Sequence, residues 1–248
     1  LSGDYPDRTT GKREGNFTDA IFKIKTVPKD ASGKPMFSMY NSDAWWLTQW
    51  NLNILWGLAW PEMMDELSSS MIEYANNGYL LPRGPSGGGY SYIMTGCPAS
   101  NLIVSTYMKG LLTKTNVDHA YEVVKRNHLP GGMLGSSEDI NFYTRNGWWP
   151  NNAGITIEAA FQDWGIAQIA AKLGRKKDYT FFNKRSKGWE LCFDTTQKLL
   201  FPKNKQGNFI HKDALSGSGW IEANAWQATW GVSHAIPELV TRMGGADS

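Results

Sequence analysis

Apolar residues recur at helical spacing along most of this chain, and the runs are separated by turns rich in Gly, Pro and Trp. Residues 1–16 are polar and read as a lead-in. Phe17, Ala20, Ile21 and Ile24 then predict a helix over Phe17–Val27 that stops before Pro28, and Lys29–Tyr40 reads as a loop. Asp43–Trp60 is the most apolar segment. As one helix at about 100° per residue, it places Asp43, Trp46, Gln49, Trp50, Asn53 and Gly57 within roughly a third of the circumference. Ala44, Leu47, Leu52, Leu55 and Leu58 fall opposite. An apolar back with a Trp, amide and acid front suits the inner wall of a cavity. It equally suits a core helix whose amides bond neighbouring loops, and the pattern does not choose.

Further helices are predicted over Pro61–Asn76, Pro98–Leu112, Val117–Asn127, Asp139–Arg145, Thr156–Lys172, Lys177–Phe193 and from Pro237 to Met243. The connections are a long loop over Gly78–Gly96, a Gly-rich loop over Leu129–Ser137 and an aromatic turn at Gly147–Asn152. Gly207-Asn208-Phe209 marks a hairpin within Lys198–His211. Arg83, among tyrosines in the first long loop, reads as a hydroxyl-binding lip. Short turns alternating with long loops suit a ring of helical hairpins with its functional loops on one rim. No motif repeats at sequence level, and no βαβ alternation is present.

Composition narrows the function classes. At 248 residues the chain can bury one large core or two small ones, and no apolar run approaches the ~20 residues of a membrane span. A formal charge of +2 with mixed signs leaves no nucleic-acid footprint. Cys97 and Cys192 fit no metal spacing and read as buried thiols or a bridge. No signal peptide is visible, and both ends read as cuts within a longer polypeptide.

Candidate chemistry gathers in Gly219–Trp230, where Glu222 lies among Trp220, Trp226 and Trp230, with the amides of Asn224 and Gln227 and then His234 beyond. Aromatic faces, amides and one acid suit a pyranose, which has an apolar C–H face and a hydroxyl rim. Glycoside cleavage needs a carboxylic acid to protonate the leaving oxygen and a second carboxylate to activate water or attack. Glu222 fits the acid role if buried beside Trp220 and Trp226, since burial favours the protonated form. The competing reading is a structural Glu at a helix start. Glu158 and Asp163 are about 140° apart on their helix and cannot share a face. Asp163, next to Trp164, reads as a sugar ligand or, preferably, an interhelical contact. His211 and His234 lack i, i+4 partners for zinc, no Gly-x-Ser-x-Gly elbow exists, and the Gly84–Gly89 loop lacks the Lys-Ser/Thr of a phosphate cradle.

Glu222-Ala223-Asn224-Ala225-Trp226-Gln227-Ala228-Thr229-Trp230 resembles the E-G-N-A-W-Q-Y-T-W motif of glycoside hydrolase family 92, the calcium-dependent exo-α-mannosidases. Leu81-Pro82-Arg83, Gly96-Cys97-Pro98-Ala99, Tyr107-Met108-Lys109-Gly110, Asp163-Trp164-Gly165-Ile166 and Phe17-Thr18-Asp19-Ala20 extend the likeness collinearly. The resemblance implies an all-α fold, an (α/α)6 toroid that is incomplete over residues 17–248, without an N-terminal β-sandwich and the last helices. It implies inverting removal of terminal sugars from glycans, of α-1,2-mannosidase type, with Glu222 as acid. Asp43, Trp46, Gln49, Trp50, Asn53, Arg83, Asp163, Asn224, Trp226, Gln227 and His234 would shape the sugar site. The base, and most ligands of a calcium ion, are expected outside this chain, in the remainder of a longer polypeptide or assembly. A secreted, periplasmic or cell-surface location follows from the same resemblance. Where the family has W-D-T-F-R, this chain has Trp46-Leu47-Thr48-Gln49-Trp50, and His-Asp becomes His234-Ala235. These departures keep a catalytically idle glycan-binding or scaffold subunit open as the alternative.

Overall fold

The computed structural model describes residues 5–6, 13–14, 25–42, 44–86, 89–90, 93–135 and 137–245. Most of the expected lead-in, residues 17–24 of the first expected helix, and Asp43 lie outside them, and residues 25–27 are not helical. Two units divide the chain, one of residues 1–137 with 168–174 and one of 138–167 with 175–248.

In the first unit, Tyr5–Pro6 (β1) pairs antiparallel with Arg13–Glu14 (β2). Helices follow at Leu52–Ala59 (α1) and Pro61–Gly78 (α2). Pro98–Met108 (α3) and Val117–Asn127 (α4) complete the set. Helix α2 packs against α1, α3 and α4. Pro61 and Pro98 open their helices, where a missing N–H leaves nothing unsatisfied. Asn116 caps α4 by accepting from His119 N.

The expected single helix over Asp43–Trp60 is not formed. A 3₁₀ turn at Trp46–Gln49 precedes α1, and Asn51, at φ −145° and ψ −42°, interrupts the helical path between them. Burial along it is the reverse of the apolar-back expectation. Gln49 and Asn53 are 5% and 3% exposed, whereas Leu47 and Leu58 are 61% and 79% exposed. Gln49 turns inward to a partner: Asn101 of α3 donates to its Oε1 at 3.1 Å.

The long loop after α2 also holds structure, with Pro85–Ser86 (β3) pairing antiparallel to Gly89–Tyr90 (β4). Tyr90 anchors it by donating its hydroxyl to Leu80 O at 2.6 Å, and Asn127 bonds both the N–H and the C=O of Leu81. Helix α3 stops at Met108, four residues short of the expected Leu112, where Gly110 turns the chain at φ +75°.

The second unit holds Ser137–Asn146 (α5) apart from its first residue, Ala153–Lys172 (α6) as far as Ala167, and Lys176–Arg185 (α7). The expected continuous helix over Lys177–Phe193 ends at Arg185, and a 3₁₀ turn covers Gly188–Cys192. Gly188 explains the change: a Cβ there would meet Gly147 O at 1.9 Å, so two backbones cross at a point only glycine allows. Phe193–Asp194 (β5) pairs with Leu199–Leu200 (β6) around a turn whose N–H groups at Thr196 and Gln197 bond Asp194 Oδ1. The expected turn at Gly207 is also present, closed by a Lys203–Phe209 bridge. Ala225–Ala228 (α8) and Ile236–Met243 (α9) end the described chain.

The core of this unit gathers Ile157 and Ala160 of α6 with Trp189, Phe193, Leu200, Phe201, Trp220, Val232 and Leu239. Both cysteines are free, buried thiols, so the bridge is not made. Among the described residues no helix is long and apolar enough to cross a membrane.

Candidate active site

The loop that carries Glu222 is fastened on both sides. Upstream, Gly219 O accepts from Ala153 N at 2.9 Å, using one of the orphan donors at the start of α6, and Trp220 buries its ring in the core. A Cβ on Gly219, at φ +80°, would lie 2.5 Å from Pro202 Cγ, so glycine is required here. Downstream, Asn224 caps α8 by accepting from Gln227 N at 3.0 Å, and Trp226 N donates to Ala214 O at 3.2 Å. Thr229 ties α8 to β6: its hydroxyl donates to Ala225 O and accepts from Leu200 N.

Glu222 therefore sits on a rigid seat, at φ +50°, in the left-handed region that side chains other than glycine avoid. It is exposed and makes no side-chain hydrogen bond or ion pair with a described residue. The expected burial beside Trp220 and Trp226 is not found: Trp220 is 7% exposed and turned inward, whereas Trp226 is 61% and Trp230 53% exposed. Gln227 is exposed as well. The outcome is an acid and two open indole faces on one short segment, the residue types that contact a sugar's hydroxyl rim and C–H face.

His234 is held differently. Its ring lies 5.9 Å from that of Phe161 and 6.2 Å from that of Trp164, both on α6. Nε2 lies 3.1 Å from Ser186 O, and a carbonyl only accepts, so Nε2 carries the proton. Nδ1 is then a lone-pair acceptor, shielded from solvent and without a partner among the described residues. Burial pushes the imidazole pKa below 6.5, and the Ser186 carbonyl opposes that shift.

Asp163 is an interhelical contact. Arg185 at the end of α7 binds it bidentately at 2.5 and 2.6 Å, and Tyr143 of α5 donates to Oδ2 at 3.1 Å. Both charged side chains are buried. Its own burial pushes the Tyr143 hydroxyl well above its usual range, the Asp163 carboxylate adds to that shift and the Arg185 charge opposes it. Nothing in the sequence marked Arg185 as this partner. Asn152, the last residue of the aromatic turn, caps α6: its Oδ1 accepts from Ile155 N at 2.9 Å.

In the first unit Arg83 is a clamp within the loops. Nε, Nη1 and Nη2 donate to the carbonyls of Gly96, Met94 and Met133 at 3.0, 2.7 and 2.9 Å. That geometry gives it a loop-organising role in place of the expected open lip. Trp46 and Trp50 are half-buried beside Gln49 and Asn53. Trp45 Nε1, Trp46 Nε1 and Asn53 Oδ1 are buried without a partner among the described residues. Each such atom costs about 1–3 kcal/mol unless water or a ligand meets it. All three fall between Trp45 and Asn53.

Among the described residues no group of three or more His, Cys, Asp or Glu side chains gathers as a metal site. The described residues thus hold no carboxylate cluster of the kind that often binds calcium.

Comparisons with known proteins agree on one family. The family model for the glycosyl hydrolase family 92 catalytic domain matches residues 5–248. The family GH92 inverting mannosidase BT2199 of Bacteroides thetaiotaomicron VPI-5482 has the same fold, at TM-score 0.78 and 22% identity, over 94% of this chain and 33% of its own. The GH92 α-mannosidase BT3965 of Bacteroides thetaiotaomicron aligns at TM-score 0.76 and 22% identity, over 86% of this chain and 29% of its own. A family 92 glycosyl hydrolase, ccman5, aligns at TM-score 0.63 and 18% identity, over 85% of this chain and 28% of its own. Among curated proteins no sequence match is found. The chain thus spans about a third of the length of these structures. With a family model matched from residue 5 to the last, this chain belongs to glycosyl hydrolase family 92, within its catalytic domain.

Proposed function

We propose that the chain supplies the acid half of an exo-acting α-mannosidase site, with Glu222 protonating the leaving glycosidic oxygen. The observation that carries this is the fastened Glu222 seat: a carboxylate at φ +50°, between an inward Trp220 and the open Trp226, inside a family 92 catalytic domain. A strained, rigidly held polar residue of this kind is a recurrent mark of function. Trp226 and Trp230, on the same segment as Glu222, offer aromatic faces to the sugar. His234, neutral at pH 7 and carrying its proton on Nε2, holds the aromatic group around it in one orientation.

In an inverting reaction the second carboxylate activates water on the opposite face of the sugar. Asp163 and Glu158 are both otherwise engaged, Asp163 by Arg185 and Glu158 by Gln162 Nε2 at 3.2 Å. The proposal therefore assigns the base, the calcium ligands and the completion of an (α/α)6 toroid to sequence beyond these 248 residues, in an exported polypeptide. The test uses the protein at its natural length on α-1,2-mannobiose, following the first-formed anomer by proton NMR. The proposal expects β-mannose and loss of turnover on chelation; α-mannose as the first product would overturn the inverting assignment.

One set of observations favours a second reading, glycan binding without turnover: the family's sugar-contacting stretch is altered here, and Arg83 is occupied by backbone carbonyls. Saturable mannoside binding by the full-length protein with no detectable hydrolysis would select it.

A further inference from the structure

We propose that the cleft between the end of α5 and the turn after α7 binds an anionic sugar, a role separate from glycoside cleavage. Its lining comes from Thr144–Gly147, from Phe181, Lys184 and Arg185 of α7, and from Lys187, Gly188, Glu190 and Leu191, around a volume of about 470 Å³. That lies in the range of small-molecule sites.

The charge in this cleft is unbalanced. Four cationic side chains line it, Arg145, Lys184, Arg185 and Lys187, against one carboxylate, Glu190. Two of these five are already matched: Arg185 pairs with buried Asp163, and Glu190 pairs with Arg242. Among the described residues, the Arg145 guanidinium bonds only through Nε, which donates to Asn141 O at 3.1 Å. The side chains of Lys184 and Lys187 make no hydrogen bond or ion pair with any described residue. Three cations without a carboxylate partner among the described residues thus line one concavity, a charge excess that an anion bound there would offset.

The rest of the cleft is shaped for a ring. Phe181 and Leu191 are 37% and 42% exposed and form its apolar wall. Gly147 and Gly188 also line the cleft and bring its two sides close together: a Cβ on Gly147, at φ +88°, would meet Leu191 Cδ1 at 2.7 Å, and one on Gly188 would meet Gly147 O. An apolar wall and cationic side chains around one cleft together match a pyranose that presents a C–H face and bears a phosphate or carboxylate. A neutral sugar leaves the cations unmet, and a bare inorganic anion leaves the wall unused.

Isothermal titration of the purified protein with glucose 6-phosphate, glucuronate, inorganic phosphate and glucose tests this. The proposal expects saturable one-to-one binding of at least one of the two anionic sugars, weaker binding of phosphate, and none of glucose. The winning sugar identifies the phosphate or carboxylate source. In the double variant Lys184→Gln/Lys187→Gln, affinity falls by roughly tenfold or more, since two charge-assisted contacts are lost. Both lysines are exposed, so the variant keeps the parent's Tm. Glu222→Gln binds the anionic sugar as the parent does, which separates this proposal from the hydrolase reading. Absence of saturable binding by either sugar, phosphate binding as tightly as the sugars, or unchanged affinity in the double variant would each overturn it.

Discussion

Glu222 is the residue at which local physics and proposed function pull in different directions. Left-handed backbone costs a residue with a Cβ about 1–2 kcal/mol, and glycine's larger chain entropy offsets about 0.5–1 kcal/mol of any relief. The side chain contributes no bond to the described residues that its removal would forfeit. Glu222→Gly is therefore expected to leave stability unchanged or raise it by up to about 1 kcal/mol in urea denaturation, while turnover is lost. A clear destabilisation would show that the side chain holds the loop. His234 gives a second test at this scale. Its folded-state pKa lies below 6.5, so below that pH the unfolded chain takes up a proton first. The stability that neutral His234 supports is thus complete above about pH 6.5 and is lost as pH falls toward the folded-state pKa. An NMR titration of the ring protons should show a midpoint under 6.5, and a midpoint above that value would contradict the burial argument. Cys192, wholly buried, has its thiol pushed up to about 12 and should resist thiol reagents until the protein unfolds.

At the scale of elements, the pairing of α6 with α5 and α7 rests on a buried polar knot. Asp163, Arg185 and Tyr143 satisfy one another there, and the guanidinium also lies over the rings of Phe181 and Phe182. Arg185→Met strands a buried carboxylate and should destabilise the protein by about 3–5 kcal/mol in chemical denaturation. A loss under about 1 kcal/mol would mean that water reaches Asp163. The α-helices were largely legible in the sequence: α2, α4 and α6 follow periodicity that Pro61, Asn116 and Gly174 punctuate. The failures have physical causes. Asp43–Trp60 has apolar residues over most of its circumference, so angular layout could not decide which side turns inward. The Asn101 amide decided it, from a helix some 50 residues on. The break after Arg185 came from a crossing of Gly147 and Gly188, a long-range contact invisible to local spacing.

At the scale of the whole molecule, the family was legible because the motif around Glu222 and several shorter ones run in one order along the chain. Their placement was less so. Arg83 and Asp163 are polar residues in conspicuous company, and both are occupied inside their own units, one by loop carbonyls and one by Arg185. Sequence spacing marks a residue as chemically apt without saying whether a neighbour has already claimed it. The chain spans about a third of its structural relatives, which fits an acid placed here and a base placed elsewhere. The most direct test of that account compares wild type and Glu222→Gln, at the protein's natural length, on two α-mannosides. With a poorly leaving sugar aglycone, loss of the general acid should lower kcat/KM by about 10²–10⁴-fold. With a dinitrophenyl aglycone, which leaves without protonation, the loss should be far smaller. Equal activity of the two proteins on the poorly leaving substrate would contradict the assignment of Glu222 as the acid.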